Sequence, residues 1–232
     1  MISRTDPTLN EFNNFYSKED PWGIEQSIPN LVRQEILNTK FENCYFQNGL
    51  DIGCGEGNLT ASMKFVNDFD AIDISKVALS RAKKKYPKIN FQELDMRDLS
   101  SIRNNKYDFI SCLETLYYVS QDNERERILI DIKNKGKDNC VYVFSIVTIG
   151  ENIYRRYFTY NGAINIFKKY FQIIDCFPIT VGKINLSLLE KVSRKISKDI
   201  LKKKETIKSY KKILNKTKPE DAYQCIFILI KN

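Results

Sequence analysis

Apolar and polar positions along the chain change period in a regular alternation. Short apolar runs at Gly49–Ile52, Phe69–Ile74, Ile89–Leu94, Tyr107–Leu113 and Asn139–Val147 predict strands. Between them Leu59–Val66, Ser75–Tyr86 and Asp122–Lys135 carry apolar residues at helical spacing. Strand–helix alternation of this kind specifies a parallel sheet with helices on both faces. Further on, the pattern predicts a helix around Gly162–Tyr170, a strand near Phe171–Pro178 and a last strand at Tyr223–Ile230. Ahead of the alternation, Glu11–Ser27 reads as a short helix and loop with Phe12, Phe15, Tyr16 and Trp22, and Leu31–Leu37 as a helix. No internal repeat is visible.

Composition narrows the chemistry. At 232 residues and 42% hydrophobic, the chain fits one α/β domain with a decoration. Its longest apolar stretches, Cys140–Ile149 and Cys225–Ile230, are too short to span a bilayer, and Met1–Asn10 lacks the order of a signal peptide. The expectation is a cytoplasmic protein. The six cysteines, at 44, 54, 112, 140, 176 and 225, form no CxxC pair and read as reduced core thiols. There is no histidine, so the usual zinc hydrolases, Ser-His-Asp enzymes and Cys-His proteases are excluded. Any general base must be Asp, Glu, Tyr or Lys. No metal site is expected.

The formal charge of +8 is concentrated in one place: Lys183–Tyr223 holds 13 Lys/Arg and 5 Asp/Glu, which leaves 24 of each sign elsewhere. Leu189, Val192, Ile196, Ile200, Ile207, Tyr210 and Leu214 recur there at mostly helical spacing. One or two amphipathic helices are expected, with an apolar stripe on the body or on a second subunit and lysines in solvent. A surface for an anionic partner is the competing reading.

The densest chemistry lies in Leu50-Asp51-Ile52-Gly53-Cys54-Gly55-Glu56-Gly57-Asn58-Leu59, where a strand enters a glycine turn and then a helix. Glycines at such a turn let a ligand approach the main chain, and ligands bind beyond the carboxyl ends of strands. The dinucleotide fingerprint would need glycine at 58, where Asn58 stands. Asp51 is also unwelcome beside a pyrophosphate but suits a ligand bearing an ammonium and a sulfonium. Asp73, at the end of the second strand, is placed to accept from both hydroxyls of a ribose. Asp95, at the end of the third, is placed to accept from an adenine amino group with Met96 beside the ring.

LDIGCGEG, AIDIS, QELDMRDL and YDFISCLETLYYV resemble, in order and spacing, the successive motifs of class I S-adenosylmethionine-dependent methyltransferases. The resemblance spans roughly Phe12 to Pro178. It implies a doubly wound, mostly parallel seven-stranded sheet, Rossmann-like, with the last strand antiparallel, and S-adenosylmethionine as cofactor. It implies that Asp51 and the turn of Gly53, Cys54 and Gly55 face the methionine part, with Asp73 and Ile74 at the ribose and Asp95, Met96 and Leu113 towards the adenosine. Asp20-Pro21-Trp22 and Glu114-Thr115-Leu116-Tyr117-Tyr118 are further similar to the rhizobial nodulation N-methyltransferase group, which acts on a chito-oligosaccharide amine. By that likeness Trp22 and Arg33 close over the methionine moiety. The basic insertion has no counterpart in it. The expected organisation is an N-terminal helical cover (1–38), a cofactor-binding α/β core (39–182), a basic helical insertion (183–222) and a final core strand (223–232).

Methyl transfer is an in-line displacement that asks chiefly for alignment, so a chain without histidine can carry it out. Glu114 is the candidate base or acceptor-orienting group; Tyr117 and Tyr118 are candidate walls of the acceptor pocket. Arg155, Arg156 and Tyr157 are placed either to bind a phosphate or carboxylate or to form a solvated turn. The leading reading is methylation at N or O of a small molecule or saccharide, nucleotide-linked or otherwise anionic in one version. Two others stay open: an RNA methyltransferase using the basic helices, and an inactive subunit that binds the cofactor. Oligomeric state is open.

Overall fold

The computed structural model describes residues 6–21, 23, 27–147, 159–180 and 200–232. Seven strands form one sheet: β1 (Phe46–Ile52), β2 (Val66–Asp73), β3 (Asn90–Glu93), β4 (Tyr107–Leu113), β5 (Gly136–Val147), β6 (Phe171–Thr180) and β7 (Gln224–Lys231). Their order is β3-β2-β1-β4-β5-β7-β6. β1 through β5 pair in parallel, and β7 runs antiparallel between β5 and β6. The expected mixed, doubly wound architecture is therefore present.

Alternation along the strands builds two cores. On one face Ile110 and Cys112 of β4, Phe144 and Ile146 of β5 and Phe227 and Leu229 of β7 meet Ile128, Leu129 and Ile132 of α5 (Asp122–Lys135) and Phe167 of α6 (Tyr160–Tyr170). On the other, Phe109, Val143, Ile226 and Ile228 meet Leu37 of α2 (Ile28–Lys40) and Leu59 of α3 (Asn58–Ser62). α1 (Leu9–Phe15) starts at a capping box formed by Thr8 and Glu11. α2 starts at Ser27 with Pro29 in its first turn, and α4 (Lys76–Lys85) at Ser75.

Two elements differ from the apolar pattern. The helix expected over Leu59–Val66 stops at Ser62, because Met63, Phe65 and Val66 turn into the second core rather than continue a helical face. β2 accordingly begins at Val66, before the polar pair Asn67–Asp68, and not at Phe69. In the basic segment, α7 (Ile200–Leu214) buries Tyr210 and Leu214 against Ile28 and Val32 of α2, so the stripe that is described lies on the protein's own body. Leu189, Val192 and Ile196 lie outside the described residues.

Candidate active site

The parallel strands β1, β2, β3 and β4 end at one edge of the sheet, and the turns that follow them line a cavity of about 380 Å³. At the β1–α3 turn, Gly53, Gly55 and Gly57 have φ of +75°, +55° and +76°. Only glycine takes such angles without strain. Space forbids a side chain as well: a Cβ on Gly53 would lie 2.2 Å from the Thr115 hydroxyl, and one on Gly55 2.5 Å from that of Tyr16. Cys54, between them, lines the cavity, and burial beside Asp73 and Asp51 pushes its thiol far above the ordinary range.

The strand-end carboxylates take different partners. Asp51 is buried and accepts from Ser111 Oγ at 2.7 Å and from the Thr60 hydroxyl. Burial raises its pKa, and those two hydrogen bonds offset only part of the effect. Asp73 accepts from the backbone N–H of Gly55 and of Ser75, each at 2.8 Å, and so ties the glycine turn to the start of α4. Burial, reinforced by the Asp51 charge, pushes its pKa up to about 6 against the hydrogen bonds it accepts. Neither carboxylate has an ion-pair partner among the described residues. Asp95 accepts from the N–H of Arg97 at 2.9 Å and pairs with its guanidinium at 3.2 Å. Ile74, Met96 and Leu113 complete this half of the cavity wall.

A cover lies over this half. Asn13 of α1 accepts from Ser75 Oγ at 2.8 Å, Asp6 accepts from Arg97 at 2.8 Å, and Glu56 accepts from the N–H of Asp20 at 3.0 Å. Phe12 and Tyr16 line the cavity from above. Trp22 lies outside the described residues, as do Arg155, Arg156 and Tyr157.

The other half is polar and aromatic. Glu114, the residue after β4, has φ +58°, a rare angle for a side chain with a Cβ. Its carboxylate pairs with Arg33 Nη2 at 3.3 Å and accepts from Gln224 Nε2 at 2.9 Å. Arg33 also donates to Gln224 Oε1 at 3.3 Å, while its buried Nε has no partner among the described residues. The rings of Tyr117 and Tyr118 are tilted by 43° with centroids 4.6 Å apart, and Phe12 meets Tyr118 edge-on at 5.1 Å. Burial next to Glu114 pushes the Tyr117 phenol well above its ordinary range.

The structure thus brings thirteen residues expected from the sequence to one cavity: Arg33, Asp51, Gly53, Cys54, Gly55, Asp73 and Ile74 from the first half of the chain, then Asp95, Met96, Leu113, Glu114, Tyr117 and Tyr118. Thr180, Tyr223 and Gln224 also line it and were not expected. A signal existed for Tyr223 and Gln224: a reversed last strand begins, rather than ends, at the ligand edge of the sheet.

Residues 50–136 match the family model described as a methyltransferase domain. An uncharacterised protein of Methanocaldococcus jannaschii is 34% identical over 187 residues, 74% of this chain and 76% of that protein. The chain belongs to the class I S-adenosylmethionine-dependent methyltransferases. A ubiquinone biosynthesis O-methyltransferase of Glaesserella parasuis is 29% identical over 55% of this methyltransferase and 58% of its own length. Among solved structures, the N-methyltransferase NodS of Bradyrhizobium japonicum, in complex with S-adenosyl-L-homocysteine, superposes with a TM-score of 0.69 at 16% identity, covering 97% of this chain and 99% of that one.

S-adenosylmethionine is the cofactor of this methyltransferase, and the cavity fits its charge. Two buried carboxylates without a cation, Asp51 and Asp73, suit a ligand that brings a sulfonium and an ammonium. The unpartnered Arg33 Nε suits its carboxylate.

Proposed function

We propose that this methyltransferase transfers the methyl group to N or O of a small molecule or saccharide held at the Glu114–Tyr117–Tyr118 end of the cavity. The observation that carries this reading is the cavity's two-ended chemistry. One end has two uncompensated carboxylates and a glycine turn; the other has a held carboxylate, a guanidinium and two tyrosines in ring contact. Its volume lies in the range of sites for one small ligand, about 300–1,000 Å³.

In this reading the cofactor, when bound, supplies an electrophilic methyl on a good leaving group. The chain's residues bind and align. Asp73 accepts from the ribose hydroxyls, Asp95 from the adenine amino group with Met96, Leu113 and Ile74 against the nucleoside. Gly53, Cys54 and Gly55 line the methionine part, with Asp51 behind them facing its positive charge and Arg33 facing its carboxylate. Phe12 and Tyr16 exclude water from above. Glu114 orients the acceptor: both its oxygens are engaged, so taking a proton would mean releasing Arg33 or Gln224. Tyr117 and Tyr118 wall the acceptor; burial beside Glu114 keeps the Tyr117 phenol neutral, so it donates rather than acts as a base. An amine acceptor needs little more than this, and a hydroxyl acceptor would draw on Glu114 as base. The relatives include both an O- and an N-methyltransferase, so both atoms are kept.

The RNA reading rests on the basic helix, and the placement of α7 argues against it. Pro29, Asn30 and Arg33 of α2 line the cavity, whereas Ile28 and Val32 face α7. The described lysines of α7, Lys208, Lys211 and Lys212, therefore belong to a helix packed behind α2, and none of them lines the cavity.

Methyl transfer from radiolabelled S-adenosylmethionine into a fractionated extract of the native organism tests the proposal. Label in small molecules or glycans supports it. Label in nuclease-sensitive material overturns it in favour of RNA, and no label despite cofactor binding favours the inactive subunit.

A further inference from the structure

Glu114 and Arg33 come from elements far apart in sequence, and a single amide joins them. Gln224 Oε1 accepts from Arg33 Nη2 at 3.3 Å and from Thr180 Oγ1 at 3.0 Å, while Gln224 Nε2 donates to Glu114 Oε2 at 2.9 Å. Arg33 Nη2 closes the ring on Glu114 Oε1 at 3.3 Å. The ring fixes its own orientation. A guanidinium only donates and a carboxylate only accepts, so the amide oxygen must face Arg33 and its nitrogen Glu114. No other uncharged side chain of this length supplies both functions at once.

The position of Gln224 follows from topology. β7 is antiparallel, so its first residue stands at the edge where the parallel strands end, paired to Val147 of β5 and Thr180 of β6. From there it reaches across to the residue after β4 and to the first half of α2. Each partner serves a different ligand: Arg33 the cofactor's carboxylate, Glu114 the acceptor.

We propose that Gln224 is a positioning residue that holds the cofactor-facing guanidinium and the acceptor-facing carboxylate in one fixed relation, with Thr180 setting the amide; this rests on the function proposed above. Through the ring, Arg33 is left with its Nε N–H unpartnered and buried, ready for a carboxylate, and Glu114 is held in its left-handed backbone conformation.

Titration of S-adenosylmethionine into the whole protein across pH 5 to 9 tests this, with thermal unfolding run on each variant. The variants are Gln224→Met, Gln224→Glu and, as a control on the pocket, Asp73→Ala. Gln224→Met keeps length and removes both hydrogen-bonding functions; affinity should fall about tenfold with a melting temperature near that of the parent. Gln224→Glu keeps the shape but introduces a second carboxylate beside Arg33. Once ionised, it repels Glu114 and competes with the cofactor's carboxylate for the guanidinium. Its affinity should therefore fall as pH rises, giving a high-pH limb that the parent protein lacks. A residue that only fills space would lower affinity by one factor at every pH. The proposal is overturned if Asp73→Ala loses binding while both Gln224 variants keep the parent's affinity and profile, or change it by a pH-independent factor. If Asp73→Ala also leaves affinity unchanged, the pocket assignment falls and this inference falls with it.

Discussion

Arg97 holds Asp6 at 2.8 Å and Asp95 at 3.2 Å with one guanidinium, so the first described residue of the chain is tied directly to a strand-end carboxylate that lines the cavity. The tie is partly buried, and the N–H of Ser120 donates a second hydrogen bond to Asp6 at 2.9 Å.

Loosening that tie should speed cofactor exchange. Asp6→Asn keeps a polar side chain but removes the charge, and should raise the release rate of S-adenosylmethionine several-fold, a change of about 1 kcal/mol. Stopped-flow release and limited proteolysis ahead of α1 would measure it. Burial works against the Asp6 carboxylate, but the Ser120 and Arg97 hydrogen bonds outweigh it and hold its pKa below the ordinary value. Its contribution is thus present at neutral pH and is lost only as pH falls through that lowered value. Unchanged release in Asp6→Asn would show that other contacts hold the cover.

Cofactor binding should carry a pH signature from Asp73. In the free protein this carboxyl titrates at about 6, raised chiefly by burial, so it is mostly protonated below that pH. Ribose hydroxyls donate to the ionised form. Affinity should therefore be flat above about pH 7 and fall towards tenfold per unit below about 6. Calorimetry near pH 6 in buffers of different ionisation enthalpy should report proton release on binding. For the free protein the sign is opposite: a raised carboxyl lowers stability as pH rises from its unfolded value towards 6, and adds no further change above it. Asp73→Ala should weaken binding about a hundredfold or more, a loss of roughly 3 kcal/mol.

Gly53→Ala combines two penalties, a φ of +75° and a Cβ 2.2 Å from Thr115 Oγ1. A loss of more than about 2 kcal/mol in unfolding free energy is expected. Thr115→Ala in the same chain removes the hydroxyl and methyl that clash and should recover part of it. Full stability in Gly53→Ala alone would mean that the turn rearranges.

The apolar and basic sides of α7 should separate cleanly. Tyr210→Ala, at a fully buried site against Ile28 and Val32, should cost about 3 kcal/mol and weaken cofactor binding through the displaced Arg33. Reversing the exposed Lys208, Lys212 and Lys216 to Glu should leave both nearly unchanged. A large loss of methyl transfer in the lysine variant would revive an anionic partner.

Much of this architecture is legible in the sequence because its signals are local. The glycine turn, the carboxylates at the ends of β1 and β2 and the helix Asp122–Lys135 are each announced by neighbouring residues. What stays hidden depends on distance. Gln224 and Thr180 acquire meaning only once β7 lies reversed between β5 and β6, and Asp6 only once it meets Arg97, 91 positions away. Met63, Phe65 and Val66 misled the helical reading because apolar spacing does not distinguish a turn dipping into a core from a further turn of helix.

Tyr223 donates its backbone N–H to Thr180 O at 2.8 Å, so the last residue of β6 and the residue just before β7 are held side by side. That bond holds together positions 180 and 223, between which the connecting chain runs. Lengthening a segment closed in this way adds little entropy penalty, about 0.6 kcal/mol for each doubling. The length of chain between positions 180 and 223 can thus change at little entropic cost while the Gln224 ring stays in place, provided α7 still braces α2.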